Sequence, residues 1–295
     1  MPVIKDVEIK SDHYRIIRTS DQATVTIDEM ISDIKENNIV FIGESHNDPV
    51  AHYFELEVTK RLFSYRPELA VAFEMFDRDV QTIINEYLNG HIQEEFLIKD
   101  ARAWKNYETD YKPVLEFAKK NNLPVIASNA PRRYVRIVST KGFEALDKVE
   151  NLDKTSLAPL PLRYPENPEY RKKFFDLMRP PVSAGKDAPK GMVMPMMNLE
   201  NTFNAQVLWD ATMAYSIGQF FKKQSNYMII HINGSFHSDN KFGILAHLNM
   251  DFSSIKMATL TVVPVDDLSD EMVSEYTERA DYIILSDKNL PRSYK

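Results

Sequence analysis

The sequence predicts an α/β fold with a mostly parallel open sheet, flanked by helices and carrying a smaller helical insertion. Three observations support this prediction. Short apolar runs recur along the chain, and most are nearly continuous, which is typical of strands buried on both faces of a parallel sheet. Longer helical patterns separate these runs. Between residues 132 and 198 the alternation stops, because prolines there exclude long regular elements.

The predicted strands are short and apolar, and they lie at residues 39–42, 69–73, 124–128, 227–232, 257–263 and 282–285. The helix between the first two strands has a clear start, because Asp48 can cap it and Pro49 suits its first position. Its pattern runs to about Tyr65. Further helices are predicted at residues 79–88, 111–121 and 201–223. This alternation indicates β-α-β units with parallel strands.

The stretch at residues 132–198 contains the segments LAPLPLRYPENPEY and RPPVSAGKDAPKGMVMPMMN. It is too aromatic and too Met-rich for simple disorder. We therefore expect a single α/β domain over residues 1–295, with a helical and loop insertion at roughly 132–200 that ends in a Met-rich flap. The methionines of this flap suit either a soft lid over an apolar ligand or an ordinary flexible loop; they are Met192, Met194, Met196 and Met197.

Composition excludes several classes of protein. Only 8 of the 295 residues are glycine, and their spacing contains no dinucleotide fingerprint, no P-loop and no G-x-S-x-G nucleophile elbow. The lack of cysteine excludes thiol catalysis, thiolate metal sites and disulfides. A net charge of −7 argues against nucleic acid as a partner. No apolar run approaches the roughly 18 residues that a membrane helix needs.

Cellular location stays open at this point. The first residues, MPVIKDVEIK, contain no apolar secretory region. The sequence is therefore compatible with a cytoplasmic protein, or with an exported protein whose signal has been removed.

Polar side chains follow four of the predicted strands. The carboxyl ends of parallel strands meet along one edge of a sheet, where the ligand sites of α/β proteins form. We therefore expect these side chains to share one crevice. They are Glu44, His46, Glu74, Arg78, Asn129, Arg132, Arg133 and His237.

Two of the glycines, Gly43 and Gly234, begin the same pattern, GxxH, directly after an apolar strand. Glycine allows a sharp exit from the strand, and the histidine three residues later can point back over the sheet edge. Two imidazoles with one or two carboxylates suit a divalent metal that keeps an open position. Without a metal, the same groups suit general acid and base catalysis. The candidates for both roles are Glu44, His46, Glu74 and His237.

Structural roles are open for the same residues. Glu44 can accept backbone hydrogen bonds in its turn, His46 can brace the following helix, and Glu74 can form an ion pair with an arginine. Asn129 suits plain turn chemistry. The pair Arg132 and Arg133 suits a solvated surface as well as an anion clamp.

Three residues outside these strand ends also carry expectations. His52, in the helix capped by Asp48, is expected to be structural or to lie at the rim, and His231, within a strand, to be a satisfied core histidine. Asp210 shares one helix face with Gln206 and Met213, and this face is expected to pack on the sheet. A buried carboxylate there needs a partner, and an arginine or a strand-end histidine would serve.

The ordered motifs resemble the ChaN-type haem-binding uptake proteins, which belong to the superfamily of Tiki proteases and erythromycin esterases. The resemblance covers roughly residues 40–244, and its last motif ends at Ile244. It rests on FIGESHNDPVAH, FEM, the spacing of Trp104 and Tyr111, ASNAPRR, AQVLWDATMA and NGSFH…GI. It implies an α/β domain with a smaller helical part, and it maps the superfamily's GxxH and acidic motifs onto residues 43–46, Glu74 and 234–237.

The resemblance also implies a ligand and a setting. Its bacterial members are often envelope lipoproteins linked to iron regulation, and a member binds haem as a cofacial pair between two subunits. A lipoprotein cysteine is absent from this sequence. The residues that hold haem are not part of this motif series. From their place near the expected crevice or insertion, we expect Arg78, Asn129, Arg132 and Arg133 to contact haem, with Tyr107, Tyr111 and Tyr134 as candidate iron ligands.

Two functions follow, with a catalytically inactive scaffold as a third. The first is haem binding in iron uptake or handling, with a homodimer possible when the ligand is bound. The alternative is a hydrolase that uses a divalent metal, or His46 as general base, to activate water, while Glu44 and Glu74 orient or share the proton. Arg78 or Asn129 would then stabilise developing negative charge.

Overall fold

The computed structural model describes residues 7–178, 198–269 and 272–294. One sheet of eight strands runs through this part of the chain, in the order β2-β1-β8-β7-β3-β6-β4-β5. The strands are β1 Tyr14–Arg18, β2 Ala23–Val25, β3 Ile39–Glu44, β4 Leu69–Asp77, β5 Val125–Asn129, β6 Met228–Gly234, β7 Met257–Val265 and β8 Tyr282–Asp287. Neighbours from β8 to β5 are parallel, and β1 is antiparallel to β8 and β2. The predicted α/β fold class is confirmed.

Helices connect the strands, and their bounds are α1 Ile27–Ile34, α2 Pro49–Tyr65, α3 Gln81–Leu88, α4 Glu94–Asp100, α5 Lys112–Lys120, α6 Arg132–Lys141, α7 Pro168–Met178, α8 Leu199–Lys223 and α9 Gly243–Asp251. The start of α2 is as predicted, because the Asp48 side chain accepts hydrogen bonds from the backbone N–H groups of Val50 and Ala51. Strands β1 and β2 and helix α1 were not predicted.

The central strands are buried on both faces, as near-continuous apolar runs predict. On one face, Val40 and Ile42 of β3 pack with Phe54 of α2 and Leu115 of α5. On the other face, alternate residues of the same strands pack with α8 and α9. The core therefore fixes β3, β6 and β4 side by side, with their carboxyl ends at one edge.

The chain after β5 contains α6 and α7, and both helices pack on α8. These helices lie in the stretch where a helical insertion was expected. The Met-rich flap, with Met192, Met194, Met196 and Met197, lies outside the described residues. None of the helices in the described ranges has the length and apolarity to cross a bilayer.

Candidate functional site

The two GxxH segments pack against each other at the carboxyl edge of the sheet. Glu44 on β3 is in register with Gly234 on β6. A Cβ at Gly43 would lie 3.0 Å from the Cα of Ser235, and a Cβ at Gly234 would lie 3.0 Å from Cε1 of His46. Glycine at both positions therefore allows the two segments to approach closely.

The first histidine of the pair is anchored by a buried carboxylate. His46 Nδ1 lies 2.8 Å from Oε1 of Glu44, and the Tyr111 hydroxyl donates to the same oxygen at 2.9 Å. Burial alone would raise the pKa of Glu44, but the imidazoles of His52 and His46 lower it below its ordinary value. Burial likewise opposes the charged form of His46, whereas Glu44 and Glu74 raise its pKa.

The second histidine is held by a carboxylate from the long helix α8. His237 Nδ1 lies 2.6 Å from Oδ1 of the fully buried Asp210, whose other oxygen accepts a hydrogen bond from the Tyr170 hydroxyl at 2.6 Å. Gly243, with φ +52°, permits this approach, because a Cβ there would lie 2.9 Å from Asp210 Oδ1. Of the two partners expected for a buried Asp210, an arginine or a strand-end histidine, the structure shows the histidine.

Glu74 lies between the two histidines. Its Oε2 accepts a hydrogen bond from the Gly234 backbone N–H at 2.6 Å, and its Oε1 lies 3.5 Å from His237 Nε2. Burial alone would raise the pKa of Glu74, but His237 and His46 lower it to about 2. Burial alone would lower the pKa of His237, but Glu74 and Asp210 raise it to about 10. At neutral pH the site therefore pairs a glutamate anion with an imidazolium.

Arg78, the arginine that follows β4, does not pair with Glu74. The Arg78 guanidinium donates to the Thr155 carbonyl at 2.8 Å and to the Ser216 hydroxyl at 2.9 Å. It also lies over the Tyr215 ring. Among the described residues the partners of Glu74 are the Gly234 N–H and His237, so the alternative of an ion pair with an arginine is not realised.

A further polar cluster lies beneath Glu44. His52 Nδ1 is 3.1 Å from Oε2 of Glu55 and 3.3 Å from Oε2 of Glu44, while its Nε2 is 3.3 Å from Oδ2 of Asp110. Burial and the charge of Glu44 raise the pKa of Glu55 to about 8. The side chains of Glu44, His52 and Glu55 could hold a metal ion.

The residue pattern does not predict this cluster. It favours a structural or rim role for His52 and indicates neither Glu55 nor Asp110. One signal was present, since His52 and Glu55 are three residues apart on α2 and therefore share a face. Asp110 comes from the single π-helical turn Tyr107–Tyr111, and no spacing relates it to α2.

Arg132 is connected to His46 through an indole ring. Its guanidinium lies 5.2 Å from the centre of the Trp104 ring, and that ring meets the His46 ring edge to face at 4.9 Å. Arg133 instead pairs with Asp79.

The remaining candidates make their contacts elsewhere. The Asn129 side-chain oxygen accepts a hydrogen bond from the Ala130 N–H at 2.8 Å. The Tyr134 hydroxyl is buried and accepts one from the Asp153 N–H at 3.0 Å. His231 is fully buried between Ser128 and Asn233, and burial lowers its pKa to about 4, as a satisfied core histidine requires. The structure thus brings together Glu44, His46, Glu74 and His237, with Arg132 to one side.

A family model described as haem-binding uptake, Tiki superfamily, ChaN, matches residues 30–248. A solved structure described as cofacial heme binding to ChaN of Campylobacter jejuni shares 16% identity at a TM-score of 0.65, covering 94% of this chain and 98% of that chain. A mutant of erythromycin esterase EreC in its open conformation shares 9% identity at a TM-score of 0.53, covering 94% of this chain and 99% of that chain. At these identities the two structures show a common fold.

A curated relative is matched over a shorter stretch. Protein RETICULATA-RELATED 5, chloroplastic, of Arabidopsis thaliana is 28% identical over 119 residues, which are 38% of this chain. The match spans 16% of that protein's length.

Proposed function

The chain belongs to the haem-binding uptake family of ChaN in the Tiki superfamily, and we propose that it binds haem as cargo at the sheet edge formed by His46, Trp104 and Arg132. The main support for this proposal is the solvent exposure of the His46 side chain. Its side chain is 33% exposed, against 8% for His52 and 9% for His237. Of the histidines at this edge, His46 is therefore the one that a ligand in solvent can reach.

The three groups of this surface match the three parts of a haem. An imidazole nitrogen suits the iron, an indole suits the apolar porphyrin, and a guanidinium suits a propionate. The Arg132 side chain has no carboxylate partner among the residues that the structure describes, whereas Arg133 is already paired with Asp79. A propionate would supply the missing partner of Arg132.

Glu44 prepares His46 for this role. It occupies Nδ1, so that Nε2 is the nitrogen left for a ligand, and a carboxylate on one ring nitrogen orients the ring and raises the basicity of the other. The candidate iron ligands Tyr107, Tyr111 and Tyr134 are all buried. The hydroxyls of Tyr111 and Tyr134 are already hydrogen-bonded, and that of Tyr107 is shielded from solvent. These positions favour His46 over the three tyrosines.

Titration of the purified protein with haemin tests this proposal through the Soret band. We expect saturable binding at micromolar protein, and at least about tenfold weaker binding in His46→Gln and Arg132→Gln, which is about 1.4 kcal/mol each. His91→Gln, a change at an exposed histidine, is the matched control and should bind as wild type does. Wild-type protein without a saturable Soret change, or His46→Gln with unchanged affinity, would contradict the proposal.

The setting of this function is also part of the proposal. We place it in iron uptake, with a homodimer that forms when haem binds, and sedimentation velocity with and without haemin measures that association. A monomer at saturating haemin would refute the dimer while leaving the haem site intact.

A second candidate function, hydrolysis, is supported by the His237–Asp210 pair beside Glu74. This buried network is more polar than a haem surface requires. In this reading His46 takes the proton from water, Glu44 orients His46, and the protonated His237 stabilises developing negative charge. His237 thus takes the role expected of Arg78 or Asn129.

An ester and amide panel, assayed with and without divalent metals, tests the hydrolase. Turnover should be lost in both His46→Gln and Glu74→Gln. Haem binding should be lost only in His46→Gln, because Glu74 lies behind the haem surface, so the two functions are separable. Wild-type protein that turns over no substrate with any metal would exclude the hydrolase.

A further inference from the structure

We propose that a divalent metal ion binds a buried site formed by Glu44, His52 and Glu55, beneath the edge that carries His46. The site differs from the set of strand-end ligands expected from the sequence, with which it shares Glu44 alone. It does not depend on haem binding or on hydrolysis.

The geometry of the three side chains suits a metal. Each offers one ligand atom, and these atoms lie within 4.8 Å of one another. The side chains of Glu44 and Glu55 are fully buried, and that of His52 is 8% exposed. One imidazole nitrogen and two carboxylate oxygens are ligands of zinc, manganese and iron sites, and they leave positions for water.

Two oxygens of the cluster lack the partners that buried polar atoms normally have. Within the described ranges, Oε2 of Glu44 and Oε1 of Glu55 are buried and make no hydrogen bond. Buried polar atoms in native proteins are nearly always satisfied. Glu44 lies on β3 and Glu55 on α2, and both carboxylates face the imidazole of His52. A cation between them would satisfy both carboxylates.

The cluster also contains more acidic groups than basic ones. Three carboxyl groups, from Glu44, Glu55 and Asp110, surround the single imidazole of His52. No lysine or arginine of the described chain forms an ion pair with any of the three. All three carboxyl groups can be charged together only if more positive charge than one imidazole lies among them, and a bound metal ion would supply it.

The far side of His52 has the arrangement that supports a metal-bound histidine. Its Nε2 lies 3.3 Å from Oδ2 of Asp110, and that oxygen is itself held by Ser293 at 2.7 Å and Asn106 at 2.6 Å. A carboxylate on the second ring nitrogen fixes the orientation of a histidine ligand and raises its basicity. Nδ1 is the nitrogen that faces both glutamates, and in this structure it is hydrogen-bonded to Oε2 of Glu55 at 3.1 Å. A metal ion would replace that bond, and Nε2, which makes no hydrogen bond here, would then donate to Asp110.

Glu44 is oriented for the same purpose. Its Oε1 is occupied by the Tyr111 hydroxyl and by His46, which leaves Oε2 on the side of His52. The carboxylate therefore joins the proposed ion to the exposed imidazole. A metal at this site would hold Glu44, and through it His46, in a fixed position.

Metal analysis of the protein, first as purified and then stripped with chelator, tests the proposal without any assay of activity. Titration of stripped protein with Mn²⁺ and with Zn²⁺, followed by calorimetry, should give one ion per chain for at least one of the two metals. Glu55→Gln should weaken binding at least tenfold. Asp110→Asn should weaken it by about 10- to 100-fold, the usual effect of losing the partner of a ligand histidine.

Glu74→Gln is the matched control, because it makes the same change at a buried glutamate outside the proposed metal site, beside His237. It should bind the metal as wild type does. Thermal unfolding separates a metal effect from a folding defect. Glu55→Gln keeps the size of the side chain, so its metal-free melting temperature should stay close to that of metal-free wild type, and only wild type should be stabilised further by metal.

Two results would overturn the proposal. One is a stripped wild type that binds neither ion and whose melting temperature does not respond to metal. The other is loss of the ion in Glu74→Gln with full retention in Glu55→Gln, which would place the metal between His46 and His237 instead.

Discussion

Replacing Asp210 by asparagine should lower the pKa of His237 and destabilise the protein at neutral pH. Asp210 is fully buried on α8, with one oxygen 2.6 Å from His237 and the other 2.6 Å from the Tyr170 hydroxyl. Asparagine preserves the shape and keeps one oxygen as an acceptor. The substitution therefore tests the negative charge of Asp210 separately from its packing.

The structure sets the size of the effect. Burial by itself would lower the pKa of His237, and Glu74 together with Asp210 raises it from 6.5 to about 10. At about 1.4 kcal/mol per pKa unit, a rise of this size corresponds to about 5 kcal/mol for the charged imidazole. Breaking a buried ion pair costs about 3–5 kcal/mol. Because Glu74 remains, we expect Asp210→Asn to lose about 2–4 kcal/mol at neutral pH.

The pH dependence gives the prediction its sign. The folded-state pKa of His237 lies above the unfolded value. Its contribution to the free energy of unfolding is therefore complete below pH 6.5 and disappears as pH rises toward 10. Urea unfolding across this range should show a decline in the free energy of unfolding of wild type that is smaller in Asp210→Asn. NMR titration of the imidazole should show the lowered pKa directly.

Two outcomes would refute this reasoning. A His237 that titrates at the same pH in wild type and in Asp210→Asn would show that the carboxylate does not hold the imidazolium. A loss of stability that is equal at both ends of the pH range would assign the effect to packing instead.

Three further predictions concern the same edge. Gly234→Ala should displace His46, because the new Cβ would lie 3.0 Å from its ring, while φ of −57° leaves the backbone of residue 234 unstrained. The affinity for haemin should fall, and the free energy of unfolding should change by less than about 1 kcal/mol. An unchanged affinity would contradict the close packing of the two segments. Tyr111→Phe removes the 2.9 Å hydrogen bond to the Glu44 carboxylate and should cost about 1–3 kcal/mol in urea unfolding, whereas a neutral result would show that this donor is dispensable. Burial raises the pKa of Glu74, but His237 and His46 outweigh it and lower the pKa to about 2. The stabilisation of the folded state by the charged Glu74 should therefore be present above pH 4.5 and be lost as pH falls through 2. In acid unfolding, the free energy of unfolding of Glu74→Gln should decline less than that of wild type in this pH range. An equal decline would show that the charge of Glu74 does not stabilise the protein.

The strand ends were the most predictable part of this molecule. Near-continuous apolar runs indicated a parallel sheet, and the carboxyl ends of parallel strands lie at one edge, where Glu44, Glu74 and the two GxxH histidines are found together. Arg78, Asn129 and Arg133, which were expected in the same crevice, make their contacts elsewhere. Strands β1 and β2 are not predicted, because they are short and because Arg15 and Arg18 interrupt the apolar pattern of β1. The place of β1 in the sheet depends on pairing with β8, which is about 270 residues away in the chain, and β2 joins the sheet through β1.

Partners that come from distant elements were harder to predict. Glu74 accepts from the backbone of Gly234, and His52 is enclosed by carboxylates from β3, α2 and the turn that carries Asp110. Residue types alone offered an arginine as one possible partner for Glu74, and they favoured a structural or rim role for His52. Only the tertiary packing of α2 against the sheet decides which groups face these side chains.

Electron paramagnetic resonance of the ferric haem complex tests the proposed haem surface most directly, because the spectrum reports the iron ligand. The placement of His46, with Nδ1 on Glu44 and a side chain open to solvent, predicts an imidazole-ligated spectrum in wild type that is lost in His46→Gln. A tyrosinate-type spectrum that is unaltered in His46→Gln would contradict it.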